Sequence, residues 1–288
     1  MTEVPKITVV TPSYNQGNFL EETIQSVLGQ CYPSLEYIIM DGGSTDNSLE
    51  VIKKYEKHLA YWTSRDDGGQ SAAINAGFAR ATGDILGWLN SDDVYLPGTL
   101  KFIALHLNLH RPEVVFGNCI YVREGFPDCA GSDVVKAHQD LDTRLVNYII
   151  QPSAFWTRRA WEETGSLAED LFYSMDWDWF LRARQVGVAF QPVNRYLSLY
   201  RVHEAHKTGT GGKKRQSELA AVYEKHTGAR RKDLYLECCR VGDEVDRFIS
   251  RINSLHLRRA VKILLRYRFA KLFRDNDHQE VYNLLRMR

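Results

Sequence analysis

Three short β-rich runs, each cut off by a polar loop, restrict this chain to a small set of folds. Residues 6–11 read KITVVT and stop at Pro12. Residues 35–40 read LEYIIM and stop at Asp41-Gly42-Gly43, and residues 85–89 read ILGWL and stop at Asn90-Ser91-Asp92-Asp93. Apolar runs with little polar interruption suit strands covered on both faces, as in a parallel sheet. Between the first two runs, Leu20, Ile24, Val27 and Leu28 fall on one helical face, with Glu21 and Glu22 in the first turn. After the second, Ser44, Thr45 and Asp46 supply cap residues for a helix predicted over 47–57. Strand, loop, helix, strand is the βαβ rhythm of an open α/β sheet, whose ligands sit beyond the carboxyl ends of the strands. Residues 11–15, 41–46 and 90–93 are therefore expected on one rim.

Adjacent carboxylates at the end of a buried strand repel and lose hydration unless a cation or donors satisfy them. For Asp92 and Asp93 two readings stay open from the residues alone. One is a divalent cation, for which oxygen ligands favour Mg2+ or Mn2+ over zinc; the other is an acidic turn capping a helix that opens near Pro97. No GxGxxG follows the first strand, which argues against a dinucleotide oxidoreductase, and the absence of GxxxxGK[ST] excludes a P-loop enzyme. Residues 61–62 read as a short strand. Residues 70–81 read as a helix packed through Ala72, Ala73, Ala76 and Gly77, with Asp67 before it and Asn75 within it.

Charge divides the chain. Residues 1–204 hold 17 Lys and Arg against 26 Asp and Glu, and residues 205–288 hold 20 against 10. This split predicts an acidic catalytic domain over 1–206 and a basic helical region over 207–288. Within the latter, residues 255–274 carry seven Lys and Arg and no acid, with Arg258, Lys262 and Arg266 on one face. Such a helix is expected to meet an anionic membrane surface, the acidic body or a second subunit as a homo-oligomer, and not nucleic acid. No apolar run reaches the ~18 residues of a membrane span, and no signal-peptide core is present. Five cysteines, odd in number and without zinc-site spacing, fit a reducing compartment. The expected location is cytoplasmic, with the inner face of the plasma membrane as a peripheral site.

TPSYN at 11–15, MDGGSTD at 40–46 and DDGGQSAAINAGFARATGDILGWLNSDD at 66–93, in that order, resemble the family 2 glycosyltransferases of GT-A fold. A fourth stretch, LFYSMDWDWFLRAR at 171–184, extends the resemblance, which covers roughly 5–205. It implies an α/β fold with an open, mainly parallel, Rossmann-like sheet flanked by helices and a C-terminal helical appendage. It also implies roles by position. Thr11, Pro12, Tyr14 and Asn15 would wrap a nucleotide, and Asp41 would accept from its base, with Gly42 where many relatives carry a second Asp. Asp67 and Asn75 would line base, ribose or diphosphate, Asp92 would lie beside the ribose, and Asp93 would bind a divalent metal, Mn2+ or Mg2+. His203 would approach the metal or diphosphate, Asp176 would act as general base, and Gln151 and Trp177 would lie on the acceptor side.

Further local expectations follow. An aromatic setting of Tyr173, Trp177 and Trp179 should raise the Asp176 pKa towards that of a useful base. Asn118 is expected to face the site, residues 125–145 to form acceptor-side loops, residues 148–156 to contain a strand, and Arg182 and Arg184 to reach solvent. Residues 207–215 are expected to form a hinge or a loop that orders over the donor.

The implied reaction is single displacement with inversion, moving one sugar from a UDP or dTDP-type donor to a hydroxyl of a glycan or lipid-linked acceptor in bacterial polysaccharide synthesis. Q-x-x-R-W, carried by processive members, is absent. The alternatives are an inactive relative serving as a carbohydrate-binding or scaffold subunit, and a sugar nucleotidylyltransferase.

Overall fold

A computed structural model describes residues 4–123, 129–203, 207, 211–250 and 270–287. The chain divides into two compact units, Met1–Asp140 with Tyr148–Thr210, and Leu141–Asn147 with Gly211–Arg288.

The first unit is built on one sheet. Its first half runs β1 (Ile7–Ser13), α1 (Gly17–Leu28), β2 (Leu35–Asp41), α2 (Ser48–Tyr55), β3 (Tyr61–Ser64), α3 (Gln70–Arg80) and β4 (Ile85–Trp88). Then come β5 (Val94–Tyr95), α4 (Thr99–His106), β6 (Glu113–Arg123), β7 (Cys129–Gly131), α5 (Val134–Asp140), β8 (Ala154–Thr157), α6 (Arg158–Thr164), α7 (Met175–Gln185) and β9 (Ala189–Val202). Among the described residues the strand order is β3-β2-β1-β4-β8-β6-β9-β5, with β7 paired to β6. Strands β3, β2, β1 and β4 are parallel, and the apolar runs of β1, β2 and β4 suit strands covered on both faces. Beyond β4 the sheet is mixed: β8 lies antiparallel to both β4 and β6, whereas β9 runs parallel to β6.

Helix α1 buries Leu20, Ile24 and Val27 completely against Ile7, Val9 and Ile39 of the sheet. Each such aliphatic side chain contributes about 1.5–3 kcal/mol. Helix α3 seats still closer, because a Cβ at Gly77 would lie 2.6 Å from Cγ1 of Val10. The start of α3 meets the residues after β4, where Gln70 Nε2 donates to Asn90 Oδ1 at 2.8 Å.

The middle of the chain departs from expectation. Residues 125–145 hold a strand and the two-turn helix α5, where the Asp133 carboxylate accepts from the Lys136 N–H at 3.0 Å. A helix this short leaves no periodicity to read. Asn118 does not face the site: it is buried, donates to Asn194 Oδ1 at 3.1 Å and accepts from the Val134 N–H at 2.8 Å. The strand expected within 148–156 is present as β8 but starts only at Ala154, after a 3-10 turn at Gln151–Ser153, since Pro152 has no N–H for a ladder.

Glu36 pins the start of the sheet. Burial works to raise its pKa, but hydrogen bonds from Thr8 Oγ1 and from the Thr82 N–H and hydroxyl, each 2.6 Å long, and from Lys6 outweigh it and hold the carboxyl at about 2. The folded pKa lies below the ordinary 4.5, so this contribution is complete above the unfolded value and disappears as pH falls through the folded one. At 1.36 kcal/mol per unit it amounts to about 3 kcal/mol. Glu36→Gln should lower stability at pH 7 by roughly that amount and flatten the decline between about pH 5 and pH 2. Urea unfolding at pH 7 and pH 3 checks this: equal losses at both values would show that the charge of Glu36 is not what matters.

The second unit is helical in its described residues: α8 (Gly212–Thr227), α9 (Ala229–Ser250), α10 (Ala270–Asp275) and α11 (His278–Met287). Gly228, at φ +92, makes the turn from α8 to α9. Tyr223 packs 4.8 Å from Tyr235 and donates to the Leu145 carbonyl at 2.7 Å. Arg231 pairs with the nearly buried Glu280 at 2.8 Å. The basic helix expected over 255–274 lies outside the described residues except for 270–274, which belong to α10. Among the described residues no helix is long and apolar enough to cross a membrane.

Candidate functional site

Strand register delivers two of the three rim loops to one place. Ser13 at the end of β1 pairs with Asp41 at the end of β2. Asn15 adopts a left-handed φ of +52, a conformation Asn tolerates better than most residues, and from there bridges to the second loop. Its N–H donates to Ser44 Oγ and its Oδ1 accepts from the Thr45 N–H, both at 2.8 Å. Thr11 is buried with its hydroxyl 3.0 Å from Tyr37 Oη, Pro12 lies within β1, and Tyr14 stands exposed on the rim.

Asp41 is fully buried and spends its oxygens on the Ser44 N–H (2.9 Å), Ser44 Oγ (2.5 Å) and Ser64 Oγ (2.6 Å). It holds the 42–45 loop in shape. Gly42 leaves a gap on the side of Asp67, whose Oδ1 would sit 3.2 Å from a Cβ at position 42. Burial, assisted by the charges of Asp66 and Asp41, pushes the Asp67 carboxyl upward against a hydrogen bond from the Gly69 N–H. The Asn75 amide donates to the Leu167 carbonyl and Glu169 Oε1 at 3.0 Å and accepts from the Leu167 N–H at 2.9 Å. Asn75 thus clasps the loop ahead of α7, a supporting contact that its expected place beside the nucleotide did not foresee.

The third loop carries the acids. Thr23 of α1, fully buried, has its hydroxyl 2.9 Å from the Ser91 carbonyl and 2.8 Å from that of Asp93, which fixes the turn that carries Asp93 inward. Asp93 is 1% exposed, and Asp92 beside it stays partly open. Burial first, and then the charge of Asp92, push the Asp93 carboxyl well above the usual carboxylate range. The Arg201 N–H and Asn90 Nδ2 reach it only at 3.3 Å each. His203 closes the third side: buried, its ring 4.6 Å from Phe19, it places Nε2 3.1 Å from Asp92 Oδ2. The Arg201 guanidinium pairs with Glu22 at 2.6 Å and lies 4.8 Å from the centre of the same Phe19 ring.

Asp92, Asp93 and His203 bring two carboxylates and an imidazole to one place, Asp93 being buried with its two hydrogen bonds at 3.3 Å. Among the described residues no group of three or more His, Cys, Asp or Glu is arranged to hold a metal by itself. Mg2+-type sites commonly use one or two carboxylates and take remaining oxygens from substrate phosphates, so the residues fit.

Helix α7 approaches through α3. Ser71 Oγ donates to the Leu171 carbonyl at 3.2 Å and lies 3.1 Å from Met175 Sδ, one residue before Asp176. Asp176 is half-buried in the first turn of α7. Asp178 points elsewhere: fully buried, it pairs with Arg182 at 2.8 Å, and Arg182 donates to the carbonyls of Thr164 and Ser166. Arg182 therefore staples α7 to the end of α6 instead of reaching solvent, because a buried carboxylate demands a partner. Arg184 likewise lies over the Phe190 ring at 4.3 Å.

The two residues expected on the acceptor side are both buried. Trp177 is 1% exposed, a core residue with no ring face to offer a sugar. Gln151 is 7% exposed and spends its amide on the Trp88 carbonyl and on Asn90. Trp179, expected beside Asp176, packs on Trp156 and Trp161 at 4.7 and 5.7 Å. Thr23 and Arg201 are residues whose place at the site the sequence did not reveal, whereas Asn90 already stood on the expected rim, directly before Ser-Asp-Asp.

The family model described as Glycosyl transferase family 2 matches residues 8–164. An uncharacterized glycosyltransferase of Rickettsia prowazekii is 27% identical over 72% of this chain and 67% of its own length. Another, from Nostoc sp., is 40% identical over 52% of this chain and 47% of its own. The hyaluronan synthase of Pasteurella multocida is 28% identical over 68% of this chain, which spans only 20% of that protein. Among solved structures, S. aureus TarS 1-349 in complex with UDP-GlcNAc superposes with a TM-score of 0.59 at 18% identity, covering 80% of this chain and 70% of that one. The mannosyltransferase PcManGT from Pyrobaculum calidifontis, in complex with GDP-Man and Mn2+, gives 0.60 at 16% identity, covering 99% and 86%.

Proposed function

The chain belongs to glycosyl transferase family 2, and on that premise we propose that it is a metal-dependent, inverting transferase of single sugars from a nucleoside diphosphate donor. The observation that carries the proposal is Asp93: a buried carboxylate beside Asp92, under His203, at the end of β4. Such a group is costly to hold charged in the apo protein, and a cation shared with a diphosphate removes that cost.

In this reading the 11–15 and 41–45 loops, with Asp67, hold the nucleoside, and Asp92 lies beside the ribose. Asp93 holds Mn2+ or Mg2+, with His203 at the metal or diphosphate. A divalent ion bound there supplies positive charge to the departing diphosphate. Asp176 accepts the proton of an acceptor hydroxyl as its oxygen bonds to the anomeric carbon. The bond from that carbon to the diphosphate oxygen breaks on the opposite face, so configuration inverts. The acceptor is a hydroxyl of a glycan or lipid-linked saccharide, and UDP or dTDP is the favoured carrier. TarS with UDP-GlcNAc supports a uridine donor, and PcManGT with Mn2+ supports the metal.

A thermal-shift panel of nucleoside diphosphates and nucleotide sugars, each with and without Mn2+, tests the reading. A ligand at a hundredfold excess over Kd adds about 2.7 kcal/mol, a shift of several degrees. One pyrimidine diphosphate series should stand out, and only with metal. A response confined to a nucleoside triphosphate together with a sugar 1-phosphate would replace this reading by nucleotidyl transfer.

A further inference from the structure

We infer that Gln70, Asn90 and Gln151 form a directional chain of carboxamides that aims the Asp93 carboxylate, Asn90 being the positioning residue, held in its orientation by Gln151, and Gln70 the donor that matches that orientation. The inference rests on the metal-binding reading of Asp93 given above.

The amides come from three elements: Gln70 opens α3, Asn90 follows β4, and Gln151 begins the 3-10 turn before β8. Gln151 Nε2 donates to the Trp88 carbonyl at 2.7 Å. A carbonyl only accepts, so the Gln151 amide has one possible orientation, with Oε1 turned to Asn90 Nδ2 at 3.4 Å. The same Nδ2 donates to Asp93 Oδ2 at 3.3 Å. Asn90 Oδ1 is left to accept from Gln70 Nε2 at 2.8 Å. Gln70 Oε1 then accepts from the Lys207 ammonium at 2.5 Å, a group that only donates. An ammonium at one end and the Trp88 carbonyl at the other therefore orient all three amides the same way. Such a chain polarises each member and strengthens donation at its far end, here onto Asp93. With the Arg201 N–H on Oδ1, one donor meets each carboxylate oxygen, both at 3.3 Å. The remaining lone pairs are left for a ligand in a set direction.

Amides suit this place because they carry direction without charge. Asn90, with its donor on Asp93, supports the carboxylate without competing for the cation. Outer groups of this kind typically change metal affinity by about 10- to 100-fold when altered.

Two substitutions at Gln70 separate direction from volume and charge. Gln70 is half-buried at a helix N-terminus, where an acid is well tolerated, so both variants should fold. Gln70→Glu keeps the shape but cannot donate to Asn90. Asn90 must then turn its Nδ2 towards the introduced carboxylate and its Oδ1 towards Asp93 and Gln151, setting oxygen against oxygen. Gln70→Leu neither donates nor accepts and gives Asn90 no reason to turn. Mn2+ affinity is measured by electron paramagnetic resonance in the presence of UDP and, separately, GDP, with melting temperature as the fold control.

Gln70→Glu should weaken Mn2+ binding by about tenfold or more, although it adds a negative charge that by simple attraction would tighten it. Gln70→Leu should stay within about threefold of the parent, since its Asn90 keeps its orientation. Binding by Gln70→Glu as tight as the parent's, or weaker binding by Gln70→Leu than by Gln70→Glu, overturns the inference and leaves the function standing. A parent protein that takes up no Mn2+ with either nucleotide overturns both.

Discussion

Asp176→Asn is expected to leave nucleotide affinity within about twofold of the parent and to cut sugar transfer by about 10²–10⁴-fold, the usual contribution of a general base. Asp176 sits in the first turn of α7, half-buried, where α3 supports the preceding residue through Ser71 and Met175. An amide fills the same space and cannot take a proton. Asp178→Asn is the informative companion. It removes the carboxylate that Arg182 faces inside the fold, leaving a charge without its partner, which costs several kcal/mol, on the order of 3–5. Asp178→Asn should therefore lower the melting temperature markedly, whereas Asp176→Asn should not. Turnover at saturating donor and acceptor, together with calorimetric melting of both variants, makes the comparison. Transfer by Asp176→Asn at the parent rate would remove Asp176 from the chemistry.

The second large effect has opposite signs in two assays. Asp93→Asn should reduce transfer by about three orders of magnitude, because a bound Lewis acid contributes several kcal/mol to stabilising a leaving group. The same substitution should raise the stability of the metal-free protein. Burial and the neighbouring Asp92 both oppose the charge on Asp93, and its two donors stand at 3.3 Å. Replacing the acid by an amide loses one of these long hydrogen bonds, worth about 1 kcal/mol. It relieves a buried like-charge contact that costs more. A net gain of about 1 kcal/mol is expected, as at other sites where activity is kept at the expense of stability. Melting of parent and variant in excess chelator checks the sign. A less stable Asp93→Asn would mean that Asp93 serves the fold and not a ligand.

How much of this was legible beforehand differs from residue to residue. The parallel strands β1, β2 and β4 were readable because burial on both faces writes an unbroken apolar run, and their polar ends followed from the rhythm of the elements. Asp93 and Asp176 were marked by motif position. The short helix α5 was not readable, since seven residues carry too few turns to show a period. Arg182 was misread for a different reason. A cation at the end of a helix looks solvent-bound until one knows that Asp178 is buried four residues before it. The burial of Trp177 and Gln151 was not readable either, because nothing local shows which side chains the fold covers.

The amino-acid sequence by itself determined the class of fold, the family and the candidate acids, because these depend on periodicity and on contiguous motifs. Tertiary structure alone decided what surrounds those acids. Gln70 and Asn90 are 20 residues apart along the chain and Asn90 and Gln151 are 61 apart, yet each pair of amides meets within 3.4 Å. Hydrogen-bond direction across such separations is set by which strand ends and helix starts meet. The close seating of α3 on β1 at Gly77, and the turn at Pro152, bring those ends together.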